Sequence, residues 1–199
     1  MRVRILLIVL AGVLGADANA GLFSKPVVLE HVPLQWKPTS QLKLGVMQMS
    51  TDQPIQFQAF QDLRNDKEAI GENREDENNP KPVTTSDDVG AFVSTHMRQL
   101  FDHAGLKTVD SNGAVTIKGE VRRFFVRETG TYNSDVGVHL TVMDASGKTL
   151  WSGLASGDAK RFGRSYKLEN YYEVLSDAIV NTVSSLLQSA EFQKALSGR

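Results

Sequence analysis

The sequence predicts an α+β fold, a two-layer sandwich in which a mainly antiparallel sheet of about four to five strands carries two amphipathic helices on one face. Two observations support this prediction. Two segments place apolar residues at helical spacing, and between them three segments alternate apolar and polar residues as half-buried strands do. Because each helix has a single apolar face, both helices can bury that face on the same side of the sheet.

The first twenty residues predict a secretory signal peptide. Arg2 and Arg4 precede an apolar run over residues 5–15, and the small residues Ala18 and Ala20 mark a cleavage position after Ala20. The run is shorter than the ~20 residues that a membrane-spanning helix needs, and no later segment comes closer. We therefore expect a periplasmic protein, exported across the inner membrane, with no transmembrane segment after cleavage.

The composition argues against several classes of protein. The chain has 199 residues, a net charge of −1 and no cysteine. Disulfides, thiolate metal ligands and lipid attachment at a cleavage-site cysteine are therefore excluded. Nucleic-acid binders normally carry a strong basic excess, which this chain lacks. After the signal we expect an extended, proline-punctuated arm over residues 21–41 and a single domain over residues 42–199.

The first half of the domain contains one predicted strand, one predicted loop and one predicted helix. Alternation over residues 42–49 favours a strand, and the polar interval over residues 51–85 predicts a long loop. The first helix is predicted over residues 87–104. Ser86 is the predicted N-cap, Asp87 and Asp88 place two acids at the start of the helix, and Gly105 supplies the stop.

The second half predicts a β-meander followed by a helix. The three strands are predicted over residues 115–126, 136–142 and 148–157. In the first of these strands the alternation changes phase at Arg122 and Arg123, which indicates a β-bulge. Asp144 to Gly147 has the composition of a tight turn. The second helix is predicted over residues 170–190, with a continuation to 195 as the alternative, and Asn170 and Glu173 are its predicted capping pair.

The stretch from Asp62 to Pro80 looks most like a site, because it carries seven acidic residues against three basic ones. If Asp66 is position one of a calcium-binding EF-hand loop, Glu77 falls at position twelve, where a bidentate ligand belongs. However, Ile70 then falls at position five, where an oxygen ligand is required. A glycosidase-type carboxylate pair needs an acid in apolar surroundings, which this stretch lacks. A solvated loop is the favoured interpretation.

No other motif assigns a catalytic residue, a metal ligand or a cofactor. His96 and His103 lie about two turns apart on the first predicted helix, too far to share one zinc ion. The segment from Gly153 to Gly157 is similar to the nucleophile elbow of hydrolases, but Ser156 is displaced by one position. A hydrolase with scattered residues is therefore the least favoured function.

Two clusters combine basic and aromatic residues. Arg122 and Arg123 precede two phenylalanines on a predicted strand, and Arg161 and Arg164 lie beside Phe162 before the second helix. If the sheet has one open face, parts of both clusters could meet there and attract an anionic envelope component, either a lipid headgroup or a glycan. The favoured alternative is that they are solvated charges around buried aromatic rings.

A set of short motifs runs through residues 42–190. The motifs are Asp62-Leu63-Arg64 with Ile70-Gly71, the helix end Leu100 to Gly105, the G-x-V-x-x-F segment Gly119 to Phe124, the hairpin from Tyr132 to Gly153, and the N-x-x-x-V-L-x-x-A helix from Asn170. Together they resemble the YajG-like family of envelope lipoproteins. Family members are anchored through a lipidated cysteine, so this chain looks like a soluble, non-lipidated relative. The resemblance implies an uncharacterised envelope role and no catalytic residues.

These observations favour a non-enzymatic accessory protein of the cell envelope that binds a protein partner. The alternative is a module for an anionic lipid headgroup or glycan, acting through the arginines of the two basic clusters. We also expect Asp62 and Arg64 to pair, or to bond neighbouring backbone, and so to hold their loop against the edge of the sheet.

Overall fold

The computed structural model describes residues 28–43 and 53–198. The predicted signal peptide over residues 1–20 lies outside the described residues, as does most of the strand predicted over residues 42–49. Within the part that is described, no helix combines the length and the apolar character needed to cross a membrane.

The described residues form eight strands and three helices. The strands are β1 (Ile55–Phe57), β2 (Gln61–Asp62), β3 (Ala69–Asn73), β4 (Lys81–Thr84), β5 (Thr108–Val109), β6 (Val115–Glu128), β7 (Tyr132–Asp144) and β8 (Thr149–Arg161). The helices are α1 (Val89–His103), α2 (Leu168–Gln188) and α3 (Ala190–Leu196).

Strand β6 organises the whole sheet. One edge of β6 pairs along its full length with β7, which pairs in turn with β8, and both pairings are antiparallel. Its other edge is shared end to end by the short strands β1, β2 and β3, which all run parallel to β6. Strand β4 extends the sheet beyond β3 and strand β5 extends it beyond β1. The predicted β-meander is therefore confirmed.

The α+β class is confirmed, but the sheet is larger than the predicted four to five strands. The difference lies in residues 51–85, where the sequence predicted a long polar loop and the structure has β1 to β4. These strands are two to five residues long, too short for an alternating pattern to stand out. Their backbones pair with neighbouring strands, whereas many of their polar side chains stay at the surface.

Helix α1 matches its prediction, and the last predicted helix is divided in two. Helix α1 begins two residues later than predicted, so its N-cap is Asp88 and not Ser86: the Asp88 carboxylate accepts the Ala91 N–H at 2.9 Å. Helix α2 begins at Leu168, so Asn170 lies inside the helix and is not its cap. Ser189 ends α2 in an extended conformation, and its hydroxyl accepts the Phe192 N–H of α3 at 3.3 Å.

All three helices pack on the same face of the sheet, as two-layer packing requires. Phe92 of α1 contacts Phe124 edge to face, and Phe192 of α3 does the same with Trp151 of β8. Helix α2 lies across β7 and β8, and at its N-terminal end Tyr171 meets β3. A Cβ on Gly71 would lie 2.8 Å from the Tyr171 ring, so only glycine permits this approach.

The N-terminal arm, residues 28–43 in the described part, crosses the outer surface of the helices. Trp36 stacks on His96 of α1 with ring centroids 4.3 Å apart. The buried Asp177 of α2 accepts hydrogen bonds from the Thr39 N–H and hydroxyl, both at 2.6 Å, and from the Ser40 N–H at 2.7 Å. A buried carboxylate on the last long helix therefore fixes the arm.

Candidate functional site

The candidate site lies where β6 changes register. The ladder between β6 and β7 shifts between Val121 and Arg123, which confirms the predicted bulge. On its other edge β6 pairs with β2 up to Val121 and with β3 from Val126, so residues 122–125 face neither strand. The β2–β3 loop, residues 63–68, fills this gap.

The Arg64 side chain fills the gap and bonds the β6 backbone where no strand pairs with it. Its Nη1 donates to the Phe124 carbonyl of β6 at 3.3 Å and to the Ala69 carbonyl at 2.6 Å. Its Nη2 donates to the Lys67 carbonyl at 2.5 Å and to Asp62 Oδ2 at 2.8 Å, and its Nε donates to Asp62 Oδ1 at 3.0 Å. These contacts use all five N–H groups of the guanidinium, so Arg64 has no donor left for a ligand.

The pair that the sequence analysis expected between Asp62 and Arg64 is therefore present, and it is buried. The side chains are 12% and 6% exposed respectively. Burial raises the pKa of Asp62, but the Arg64 hydrogen bonds and charge outweigh it, and the pKa lies below the usual aspartate value. The pair fixes the loop against the edge of β6.

The other acids of this stretch take turn and surface roles. Asp66 Oδ1 accepts the N–H groups of Glu68 and Ala69, both at 3.1 Å, which is the pattern of an Asx turn. Gly71, which an EF-hand would place in its loop, lies within β3. Among the described residues, no group of three or more histidine or acidic side chains is arranged to hold a metal ion.

A groove of about 590 Å³ opens beside the bulge, on the face of the sheet opposite the helices. Its lining includes Arg122, Arg123, Phe125, Arg127, Asn133 and Asp135. The side chains of Arg123, Phe125 and Arg127 alternate away from the core, because the bulge has reset the phase of β6. The groove therefore combines a partly buried aromatic ring with a rim of arginines.

Each of the three rim arginines has an acidic neighbour. Arg123 pairs with Asp135 at 3.0 Å, and the two side chains are 49% and 47% exposed. Arg127 lies 3.4 Å from Glu72, and Arg122 pairs with Glu120. Exposed pairs of this kind contribute little to stability, so little is lost when such a pair opens. The arginines are therefore available to an incoming carboxylate or carbonyl group.

The structure does not bring the two basic clusters together. Arg161 is the last residue of β8, and its side chain pairs with Glu173 of α2 on the helix side of the sheet. Together with Arg164 it lines a separate pocket of about 270 Å³. Arg122 and Arg123 lie in the groove on the opposite face. The alternation of side chains along a strand explains the separation, since Arg161 faces the helices.

A Ser–His–Glu arrangement also lies on the uncovered face of the sheet. Ser152 Oγ is 3.4 Å from His139 Nε2, and His139 Nδ1 is 3.9 Å from Glu120 Oε2. The second distance is longer than a hydrogen bond. Glu120 also pairs with Arg122. We interpret the three as a surface polar ladder on neighbouring strands.

Sequence reasoning missed a buried polar cluster under the β8–α2 loop. Glu128 is 1% exposed, and its carboxylate accepts the Tyr166 N–H and the Tyr171 hydroxyl, both at 2.7 Å. Burial and the bond to Glu128 raise the pKa of Tyr171. Glu128 continues the inward-facing phase of β6 after the bulge, so correct phasing of that strand could have identified it as buried.

No family model matches the chain, and no curated protein matches it either. Solved structures do share its fold. A Xanthomonas campestris protein of family DUF330 has a TM-score of 0.58 at 10% identity and covers 79% of this chain and 94% of its own. This similarity shows that the two proteins have a common fold.

Two further solved structures are more distant. A PelC dodecamer from Paraburkholderia phytofirmans has a TM-score of 0.42 at 14% identity, covering 68% of this chain and 89% of its own. A minor lipoprotein from Acinetobacter baumannii has a TM-score of 0.40 at 9% identity, covering 53% of this chain and 87% of its own. At such scores neither structure carries an argument about function.

Proposed function

We propose that the protein is a non-enzymatic, YajG-like accessory protein of the cell envelope. It acts in the periplasm and binds a protein partner through the face of β6, β7 and β8 that the helices leave uncovered. The observation that carries this proposal is the groove beside the bulge of β6, with its arginine rim around Phe125.

The chemistry of the groove suits a protein surface. Arginine and aromatic residues are enriched at protein interfaces, and they supply most of the residues whose truncation weakens binding strongly. Arg122 and Arg123 extend from the bulge, and Leu154 on β8 of the same face is 56% exposed. A partner with carboxylate and apolar side chains would replace the exposed intramolecular ion pairs and cover Leu154.

The frame around the groove is rigid, which favours specific binding. The buried Asp62–Arg64 pair fixes the loop that forms one wall, and the ladder between β6 and β7 forms the floor. Because these groups are already ordered, a partner does not have to order them on binding. We therefore expect the groove to keep its shape when the partner is absent.

Site-specific photocrosslinking in cells tests the proposal. A photoreactive amino acid is placed at Phe125 or at Leu154, and as a control at Ser185, which is exposed on α2 on the opposite layer. We expect both sheet positions to capture the same envelope protein and Ser185 to capture none of it.

The captured protein is then purified, and its affinity is measured by calorimetry. Replacing Arg122 and Arg123 with alanine should weaken binding about tenfold or more, as expected for arginines at the centre of an interface. Capture from Ser185 but not from the sheet positions would contradict the proposal, as would an unchanged affinity of the double variant.

A further inference from the structure

The loop that joins β8 to α2 presents an exposed aromatic ring among basic side chains. This loop comprises residues 162–167, and together with Lys160 and Arg161 at the end of β8 we call it the basic loop. Phe162 is 83% exposed, compared with 59% for Val28 and 56% for Leu154. Lys160, Arg164 and Lys167 are also exposed. This part of the chain therefore exposes one aromatic ring and three basic side chains to solvent.

Hydrogen bonds from Tyr132 and Glu128 hold the backbone of the basic loop in place. The Tyr132 hydroxyl donates to the Arg164 carbonyl at 2.5 Å and accepts the Lys167 N–H at 3.0 Å. The buried Glu128 accepts the Tyr166 N–H, and Tyr166 has a φ of 50°, a conformation that is strained for a residue other than glycine. Strain held in place by buried groups is typical of functional loops. Phe162 is therefore presented by a preorganised loop.

The charges of the basic loop favour an anionic surface. Lys160, Arg164 and Lys167 form no ion pair with the described residues. Two of the surrounding carboxylates are already compensated, Glu169 by Lys37 at 2.5 Å and Glu173 by Arg161. The neighbouring β3–β4 hairpin contributes Glu75, which accepts a hydrogen bond from Ser165, while Asp158 lies two residues before Lys160 on β8. Lys160, Arg164 and Lys167 remain as cations without an ion pair in and beside this loop, and Glu30 of the arm is a further acidic neighbour of Tyr166.

The N-terminal arm begins beside this loop. The Leu29 N–H donates to the Tyr166 hydroxyl at 3.3 Å, and the preceding Val28 is 59% exposed. Val28 therefore adds a second exposed apolar side chain at this end of the molecule.

We propose that the basic loop is a docking site for the surface of an anionic phospholipid bilayer. Phe162 inserts at the level of the headgroups, and Lys160, Arg164 and Lys167 lie against the phosphates. Aromatic rings and basic residues are the groups that settle at this interface. The site is distinct from the groove used in the proposed function, so either proposal can fail without the other.

Vesicle sedimentation with the protein purified in its exported form tests this inference. The vesicles contain phosphatidylglycerol and phosphatidylethanolamine, and vesicles of phosphatidylcholine alone serve as the uncharged reference. We expect wild type to bind the anionic vesicles and to be released by salt. Phe162→Ala should weaken binding about tenfold, because it removes one phenylalanine from the apolar layer. Replacing the three cations with glutamine should abolish the preference for phosphatidylglycerol.

Matched variants separate this site from the groove. Leu154→Ala removes another exposed hydrophobic side chain, and Arg122→Ala with Arg123→Ala removes two other cations; both variants should bind vesicles as wild type does. Circular dichroism checks that each variant is folded. The inference is overturned if wild type does not sediment with anionic vesicles, or if the groove variant loses as much binding as Phe162→Ala.

Discussion

Arg64 donates a hydrogen bond to the Phe124 carbonyl of β6, and Arg123 is the residue that precedes Phe124 in the same strand. The two arginines nevertheless differ in burial and in hydrogen-bond partners. Arg64 is 6% exposed and donates to a carboxylate and three backbone carbonyls, whereas Arg123 is 49% exposed and has one carboxylate partner. A buried charge with all its donors satisfied cannot be removed without leaving acceptors unpaired. Residue type alone therefore does not distinguish an arginine that maintains the fold from one that can contact a partner.

The largest expected effect comes from the buried member of this comparison. Arg64→Met keeps most of the apolar stem, but it removes the charge partner of Asp62 and the side-chain donor of three backbone carbonyls. We expect the free energy of unfolding to fall by about 3–5 kcal/mol, as for other broken buried pairs. Urea denaturation measures it. Arg123→Met is the matched control and should change the value by less than about 0.5 kcal/mol. Equal losses for the two variants would remove the distinction.

Glu128, a buried carboxylate at the end of β6, allows the same comparison between a buried and an exposed residue. Glu128→Gln replaces one acceptor with an NH₂ group that faces either the Tyr166 N–H or the Tyr171 hydroxyl. In the better orientation the amide oxygen keeps the Tyr166 N–H and the NH₂ group donates to the Tyr171 oxygen, so only the Tyr171 O–H loses its acceptor, at a cost of about 1–3 kcal/mol. The matched exposed change is Glu120→Gln, which should be near neutral. Urea denaturation of both variants checks the prediction, and a neutral Glu128→Gln would show that the cluster tolerates rearrangement.

A smaller effect is expected from pH. Burial lowers the pKa of His96, and the contact of its Nδ1 with the Phe92 carbonyl at 2.7 Å only partly offsets this. The folded state therefore binds fewer protons here than the unfolded state, so stability is present above pH 6.5, the usual histidine pKa, and falls as pH falls below it. Thermal unfolding between pH 7.5 and 5 should show a flatter profile for His96→Gln. Parallel profiles would contradict this assignment.

The smallest effect on stability belongs to the exposed rim. The double alanine variant of Arg122 and Arg123 should unfold within about 0.5 kcal/mol of wild type, because both side chains are exposed. The same variant is expected to lose partner binding. A large loss of stability would mean that the rim belongs to the frame of the fold, and it would weaken the proposed function.

The long elements of the fold could be predicted from the sequence because they repeat a pattern over many residues. Strands β6 to β8 and helices α1 and α2 each run for thirteen or more residues with one apolar face. The bulge was visible as a change of phase at Arg122 and Arg123. Strands β1 to β4 were missed because backbone pairing with distant strands, and not local side-chain pattern, defines them.

The candidate site was predicted in part. The pairing of Asp62 with Arg64 could be expected from a two-residue spacing of opposite charges in a loop. That the guanidinium also bonds the Phe124 carbonyl, sixty positions away, depends on how β2 and β3 are placed along β6. The separation of Arg122 and Arg123 from Arg161 and Arg164 likewise depends on strand phase and topology, which the sequence alone leaves open.

The N-terminal arm packs on α2, and this contact limits the order in which the chain can fold. Thr39 and its acceptor Asp177 are 138 positions apart, so the arm is synthesised first but can dock only after α2 has been synthesised. Contacts so distant in sequence form late, because the intervening chain must first be ordered. In pulsed hydrogen exchange during refolding, we expect the Thr39 and Ser40 amides to gain protection after those of β6 and β7. Until then the outer surface of α2 stays open, and a protease or chaperone would encounter it before the arm closes.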